Sequence, residues 1–408
     1  MTSICLLVQG VYDSDPRVRR KAEALAGAGY SVDVLALRPE GGDARYTLNG
    51  VHVYTLALGK MRGSLLRYFA EYAIFFLWAA VQVTRLMRRR RYAVIDVNTL
   101  PDFLIFAPMV ARWMGATLVL DMHEITPEFY QSKYGIDERA WVIRLLTFIE
   151  RISFNFADRV VTINEPILNL LAGRGLSREK TTVVMNSADE ARFAAALRDA
   201  AARGQEPSDK FVMIYHGTLT RIYGLDIAIE AFAAVRQQMP DAEMWILGSG
   251  PEQEPLRRLA SELGMSDRVK LPGQVPSAEI PSWLMKATVG ILPLRRDALL
   301  DFAFPNKLPE FIITRRPVIM SRLRAIEHYF SEGALAYFEP HDVAELGAQM
   351  IRLARDPRLR ADLAARASEE YVPLRWELMK AQYLHMIAAI VNPGARTADA
   401  AVRAQTVR

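Results

Sequence analysis

The sequence predicts an α/β protein made of two tandem doubly wound, Rossmann-like domains. Three observations carry this. Short apolar runs of strand length alternate with helix-length amphipathic stretches, the pattern of βαβ units around a parallel sheet. The alternation stops at an alanine-rich, then polar, stretch over residues 187–210 and restarts beyond it. A chain of 408 residues, 51% apolar and 24% charged, suits two cored domains and excludes a disordered or collagen-like polymer.

Residues 1–186 form the expected first domain. Ile4–Gln9 reads as a strand, and Arg17–Gly29 as a helix closed by its terminal glycine. Strands are expected over Ser31–Leu37, Val51–Leu58, Tyr92–Val97, Thr117–Asp121, Arg159–Ile163 and Thr181–Met185. Between them fall helices over Ser64–Met87, Asp102–Met114, Ala140–Ala157 and Glu165–Gly173. Residues 187–210 read as a linker, and 211–373 as the second domain. Its strands are Phe211–His216, Ala242–Leu247, Val269–Leu271, Val289–Leu292, Pro317–Met320 and Leu335–Phe338. Its helices are Gly224–Met239, Gln253–Leu263, Ala278–Lys286, Leu308–Thr314 and Val343–Ala354. A last helix is expected within 374–392, and a disordered tail over 393–408.

Charge and cysteine content narrow the class. The net charge is +5, an excess that favours anionic partners without naming one. Cys5 is the single cysteine, which excludes an internal disulfide framework and a cysteine-based zinc cluster. The N-terminus lacks a basic n-region and its apolar run is too short for a signal peptide, so a cytoplasmic chain is expected. Residues 64–91 combine an aromatic-rich apolar stretch with Arg88, Arg89, Arg90 and Arg91. The uncharged part, Tyr72–Thr84, is shorter than the roughly 18–20 residues that span a bilayer. Two readings stay open: a buried helix with cations at its favourable end, or an interfacial helix at the inner face of the plasma membrane. Basic residues are scattered and no nucleic-acid-binding motif occurs, so nucleic acid is not expected as a partner.

Ligands of open parallel sheets bind beyond the carboxyl ends of the strands. There the second domain offers Gly217, Thr218 and Arg221 after one strand, and Gly248 and Gly250 after the next. A long loop then leads to Asn306, Lys307, Leu308 and Glu310. Glycines let backbone N–H groups approach a phosphate, arginine and lysine offset its charge, and a glutamate can hold a ribose diol. Taken singly, each is equally an ordinary loop residue. The first domain offers His123 and Glu124 after Asp121, and Arg17 after the first strand. The His-Glu pair lacks the second histidine of a zinc helix, so no metal is expected.

These blocks resemble the retaining glycosyltransferases of family 4, which have the GT-B fold. The resemblance runs from about Ile4 to Val391. Tyr215–Phe232 is similar to the family's Gly-x-Leu…Gly-hydrophobic-Asp block, and Trp245–Leu284 to its Gly-x-Gly-Pro run. Phe304–Ile319 resembles the donor-binding helix and its following strand, here in a Pro-Asn-Lys form. Asp121–Glu128 resembles an Asp-x-His-Glu variant, and Val183–Phe193 the closing strand and linker. Three departures stand out: Thr218 and Tyr223 replace the usual cations around the first loop, and Phe302 replaces the first of two glutamates, with Asp301 adjacent.

The resemblance implies transfer of a sugar from a nucleoside diphosphate sugar to an acceptor hydroxyl, with retention and without cofactor or metal. His123, Arg221, Lys307 and Glu310 would carry the chemistry. Gly217, Thr218, Gly248, Gly250, Asn306 and Leu308 would hold the donor, and Arg17 and Glu124 the acceptor. The acceptor would be a glycan or lipid-linked intermediate of polysaccharide or glycoconjugate synthesis. The helix within 374–392 would cross back onto the first domain. Two other readings remain: a non-catalytic nucleotide-sugar-binding partner of a transferase complex, and a sugar-nucleotide epimerase or hydrolase.

Overall fold

A computed structural model describes residues 1–58, 65–188, 190–202 and 210–392. The chain divides into two compact units, one of Met1–Met185 with the segment from Glu377 onward, the other of Asn186–Trp376.

The first unit has a sheet of eight strands. They are β1 (Ser3–Val11), β2 (Ser31–Leu37), β3 (Arg45–Leu48), β4 (Val51–Leu56), β5 (Val94–Asn98), β6 (Thr117–Met122), β7 (Arg159–Thr162) and β8 (Thr181–Val183). Their order is β3-β4-β2-β1-β5-β6-β7-β8. All neighbours are parallel except β3 and β4. The central strands are buried on both faces, as parallel strands covered by helices must be. The helices are α1 (Pro16–Gly27), α2 (Leu65–Arg90), α3 (Met109–Trp113), α4 (Thr126–Tyr134), α5 (Trp141–Phe156) and α6 (Glu165–Gly173). Asp15 starts α1 by accepting from the N–H groups of Arg17 and Val18, with Pro16 at the first helical position.

The second unit opens with α7 (Glu190–Ala202) and has six strands. These are β9 (Val212–His216), β10 (Glu243–Leu247), β11 (Val269–Gly273), β12 (Val289–Leu292), β13 (Val318–Ser321) and β14 (Ala336–Phe338). All are parallel, in the order β11-β10-β9-β12-β13-β14. Its other helices are α8 (Leu225–Val235), α9 (Gln253–Glu262), α10 (Ile280–Lys286), α11 (Lys307–Ile313), α12 (Arg324–Glu327), α13 (Val343–Arg355) and α14 (Pro357–Tyr371). The final helix, α15 (Trp376–Val391), belongs to the first unit from Glu377 on. There Tyr383 Oη donates to Asp96 Oδ2 at 2.6 Å, and the Met185 N–H meets Met379 Sδ at 3.2 Å.

Several expectations need correction. The linker read over 187–210 contains α7, whose Phe193 is buried and which packs on α10 and α11. Its alanines, read as linker composition, are the best helix formers. Residues 203–209 and the expected disordered tail 393–408 lie outside the described residues. The single helix expected over Asp102–Met114 is a 3-10 turn (Asp102–Phe106) and α3, with Pro108 between them. The strand β3 was not foreseen, although Asn49 and Gly50 both have positive φ, the requirement of a tight type I′ hairpin. The helices α4 and α14 were also missed.

Candidate functional site

In the second unit the chemistry gathers at the carboxyl end of β9. His216 ends that strand, and Gly217 follows with φ +125. A side chain on Gly217 would run into Lys307 Cε, so the missing Cβ is the space that the lysine fills. The Lys307 ammonium lies 4.0 Å from the Tyr223 ring centroid and 5.2 Å from that of Tyr215. Tyr215 is fixed by its hydroxyl, which donates to the Thr218 carbonyl at 2.9 Å. Burial pushes Lys307 down to about 8, with the charge of Glu310 opposing the shift. One helical turn on, Glu310 places Oε2 3.2 Å from His216 Nε2. His216 is pushed down to about 3, by burial first and then by the Lys307 cation, so it is neutral at neutral pH.

The glycines of the next loop serve the backbone. Gly248 is buried with φ +140, and a Cβ there would overlap the Gly217 carbonyl oxygen. A Cβ on Gly250 would overlap the Leu219 carbonyl oxygen. Leu219 N–H donates to Ser249 O at 3.0 Å and Gly217 N–H to Leu247 O at 2.9 Å. The two loops are thus laced together, which only residues without side chains permit.

This geometry reassigns some expected donor contacts. Gly248 and Gly250 act by letting the loops close. Gly217 has its N–H committed, and Thr218 beside it is exposed to solvent. Leu308 has a fully buried side chain and an N–H bonded to Pro305 O at 3.0 Å, so neither is open to a ligand. Asn306 is exposed, and its side chain does not cap the short α11. Arg221 is also exposed, on a 3-10 turn. At the departures, Phe302 is buried under the Arg324 guanidinium. Asp301 accepts from the Arg324 N–H at 3.1 Å and pairs with Arg296 and Arg324.

In the first unit the corresponding sheet end carries a buried polar network. His123 is 4% exposed, and its Nε2 lies 2.9 Å from Asn98 Oδ1 and 3.6 Å from Asp121 Oδ2. Both neighbours are acceptors: Asn98 Nδ2 is turned to Leu7 O at 3.2 Å, and Lys21 donates to Asn98 Oδ1 at 3.1 Å. Nε2 therefore carries the proton, and the buried Nδ1, without a partner among the described residues, presents a lone pair. Burial, then Lys21 and Arg17, hold His123 well below the usual histidine range, so the ring is neutral. Lys21 pairs with Asp121 and is pushed by burial to about 8, against the pull of Asp96. Glu124 is raised by burial and lowered by Arg17 and Lys133. Arg17 pairs with its own helix cap, Asp15, at 3.2 Å.

The structure thus brings Gly217, Lys307 and Glu310 together in one unit, and Arg17, His123 and Glu124 together in the other. Sequence reasoning missed Lys21, Asp96, Asn98, His216 and Tyr383. Lys21 carried a signal: it sits on the buried stripe Val18, Ala22 and Leu25 of α1, where a charge needs a partner.

Known proteins resemble both halves of the chain. Residues 210–356 match the family described as "Glycosyl transferases group 1", and 14–187 the "Glycosyl transferase 4-like domain". Each half of the chain thus matches a glycosyltransferase domain, and the fold is GT-B. The D-inositol 3-phosphate glycosyltransferase of Pseudarthrobacter chlorophenolicus is 23% identical over 92% of this chain and 90% of its own. Against three other curated relatives the chain spans half of their length or less, between 28% and 48%. Among solved structures, sucrose-phosphate synthase from Thermosynechococcus elongatus superposes with a TM-score of 0.75 at 20% identity, over 95% of this chain and 100% of that one. HepE from Anabaena, solved with UDP-glucose, gives a TM-score of 0.65 at 16% identity, over 95% and 100%. At such identities the superpositions establish the fold, and no more.

Proposed function

We propose that the protein transfers a sugar from a nucleoside diphosphate sugar to an acceptor hydroxyl, with retention at the anomeric carbon and without a metal ion. The observation that carries this is the half-buried Lys307 ammonium, held over Tyr223 beside Gly217 and one turn before Glu310. Expulsion of the diphosphate builds negative charge at the leaving oxygen. A cation already positioned there lowers that barrier without reorganisation. Glu310 accepts hydrogen bonds from the ribose diol, and Thr218 and Asn306 border the phosphates. Arg221 supplies a second cation if its exposed side chain turns onto the diphosphate. The relative solved with UDP-glucose supports a donor of this class.

The first unit supplies the acceptor side. His123 Nδ1 accepts a hydrogen bond from a sugar hydroxyl. Glu124 and Arg17 orient the acceptor. That acceptor is a lipid-linked glycan intermediate of polysaccharide or glycoconjugate synthesis, met at an anionic membrane through residues 64–91.

A thermal-shift panel of nucleotide sugars tests the donor. A ligand at 100 times its dissociation constant stabilises by about 2.7 kcal/mol. Lys307→Ala and Glu310→Ala should each lose that shift, and full transfer by both at limiting donor would overturn the assignment. Retention is read from the anomeric proton of the product, and metal independence from turnover in a chelator. Phe302, buried where the family carries a sugar-contacting glutamate, favours one other reading: a nucleotide-sugar-binding partner without turnover. Donor binding with no transfer to any of a broad acceptor panel would support it.

A further inference from the structure

Along the sheet of the first unit, the crossovers β4 to β5, β5 to β6 and β6 to β7 all run in one direction, and β1 to β2 in the other. Right-handed crossovers then place α2, α3 and α5 in one helical layer, with α1 on the opposite face. Side-chain contacts agree: Tyr72 and Phe76 of α2 meet Phe103 in the turn before α3, and Phe106 of that turn meets Phe156 of α5.

The outer side of this layer is apolar. Sixteen large apolar side chains are exposed among the described residues, and eleven of them lie on α2, α5 and α3 with its C-cap. On α5, Trp141 is 74% exposed and Phe148 58%, and Leu145 and Ile152 complete their stripe. Trp113 on α3 is 74% exposed. A face this broad marks an interaction site.

Charge decides the partner. The solvent stripe of α2 continues from apolar residues into Arg85 and Arg88, and that of α5 is interleaved with Arg144 and Arg151. No exposed position on the described parts of α2 or α5 holds a carboxylate. A second copy related by a two-fold axis would set this patch against itself and bring arginines together without counter-charge. An anionic bilayer offers apolar depth for the rings and phosphates for the guanidinium groups. No described helix is long and apolar enough to cross a membrane, so the face lies on the surface.

We propose that the outer face of the α2–α3–α5 layer docks on an anionic lipid bilayer, with Trp113, Trp141 and Phe148 as its inserting side chains. This deepens the membrane part of the function above, which assigned contact to residues 64–91 alone. The test is sedimentation of the full chain with phosphatidylglycerol–phosphatidylcholine vesicles, against phosphatidylcholine alone. The Trp141→Ser/Phe148→Ser variant should lose about tenfold or more in partitioning, since each ring removes one large apolar burial. Arg144→Gln/Arg151→Gln should weaken binding at low salt only. Melting temperature and nucleotide-sugar affinity should stay unchanged in both. Loss of binding from Leu77→Ser/Val81→Ser on α2, with the α5 variants unaffected, overturns the extended face and leaves the 64–91 contact standing. Absence of vesicle binding by the unaltered chain overturns both, while nucleotide-sugar binding still judges the donor reading separately. Self-association abolished by Trp141→Ser/Phe148→Ser would assign the face to a second copy instead.

Discussion

The Lys307 ammonium sits 4.0 Å from the centroid of the Tyr223 ring. Tyr223 stands where the family resemblance leads one to expect a cation, so the aromatic ring holds a cation in place of supplying one. A desolvated contact of this kind is worth about 0.5–2 kcal/mol. Tyr223→Leu should therefore weaken nucleotide-sugar binding by about 2- to 30-fold, while Tyr223→Phe, which keeps the ring, should bind nearly as the unaltered protein. Isothermal titration checks both, and equal losses would remove the ring from the argument.

Gly217 and Lys307 share one space. Gly217→Ala places a methyl group where Lys307 Cε lies, so the lysine must move. The variant should lose donor affinity to about the level of Lys307→Ala, and the double variant should lose little more, since substitutions in contact are not additive. Gly248→Ala differs, because its Cβ meets the Gly217 carbonyl and the backbone cannot step aside. Urea denaturation should show Gly248→Ala to be the more destabilised protein. Additive losses in the Gly217–Lys307 cycle would mean that the two act separately.

Much of this arrangement was legible beforehand, and the reasons differ by residue. The strands of both units are continuous apolar runs, so parallel sheets followed from local pattern. Gly217, Lys307 and Glu310 stood out because loops after parallel strands are where ligands bind. Phe193 shows where the reading failed: its burial depends on α10 and α11, which lie far on in the chain, so its helix read as a linker. Asp96 and Tyr383 are 287 residues apart, and no local pattern announces their contact. Leu308 was misread because a motif gives the residue order but not which way a buried side chain points.

Lys307 also predicts a pH dependence. Burial holds its folded pKa near 8, so an increasing fraction is neutral above that pH. A bound diphosphate favours the charged form and raises the pKa again. Donor affinity should fall as pH rises through about 8, and binding between about pH 8 and 9 should take up a proton. Calorimetry in buffers of differing ionisation heat measures this uptake. Lys307→Arg, charged throughout, should show none.

His216 predicts an acid sensitivity of the fold. Its folded pKa of about 3 lies below the unfolded value near 6.5, so the unfolded chain binds more protons between those pH values. Stability contributed by the neutral ring is present above pH 6.5 and is lost as pH falls toward 3. At pH 5 the loss from this group is about 2 kcal/mol relative to pH 8. His216→Gln removes that titration whatever its effect on stability at neutral pH. The difference in urea midpoint between pH 8 and pH 5 should shrink in the variant, and an unchanged difference would place the acid sensitivity elsewhere.

The network around His123 rests on Lys21. Its ammonium pairs with the buried Asp121 and donates to Asn98, the residue that sets the His123 tautomer. Lys21→Met leaves Asp121 as an uncompensated buried charge, which typically costs about 3–5 kcal/mol. Lys21→Met with Asp121→Asn removes both charges and should recover much of that loss. Lys21 also helps to hold His123 neutral, so Lys21→Met alone should raise the His123 pKa, readable from its ring proton shifts. The residues proposed to bind the donor lie in the other unit, so donor affinity should be unchanged while turnover falls. A parallel loss of donor affinity would mean that Lys21 supports the whole fold and not the acceptor side alone.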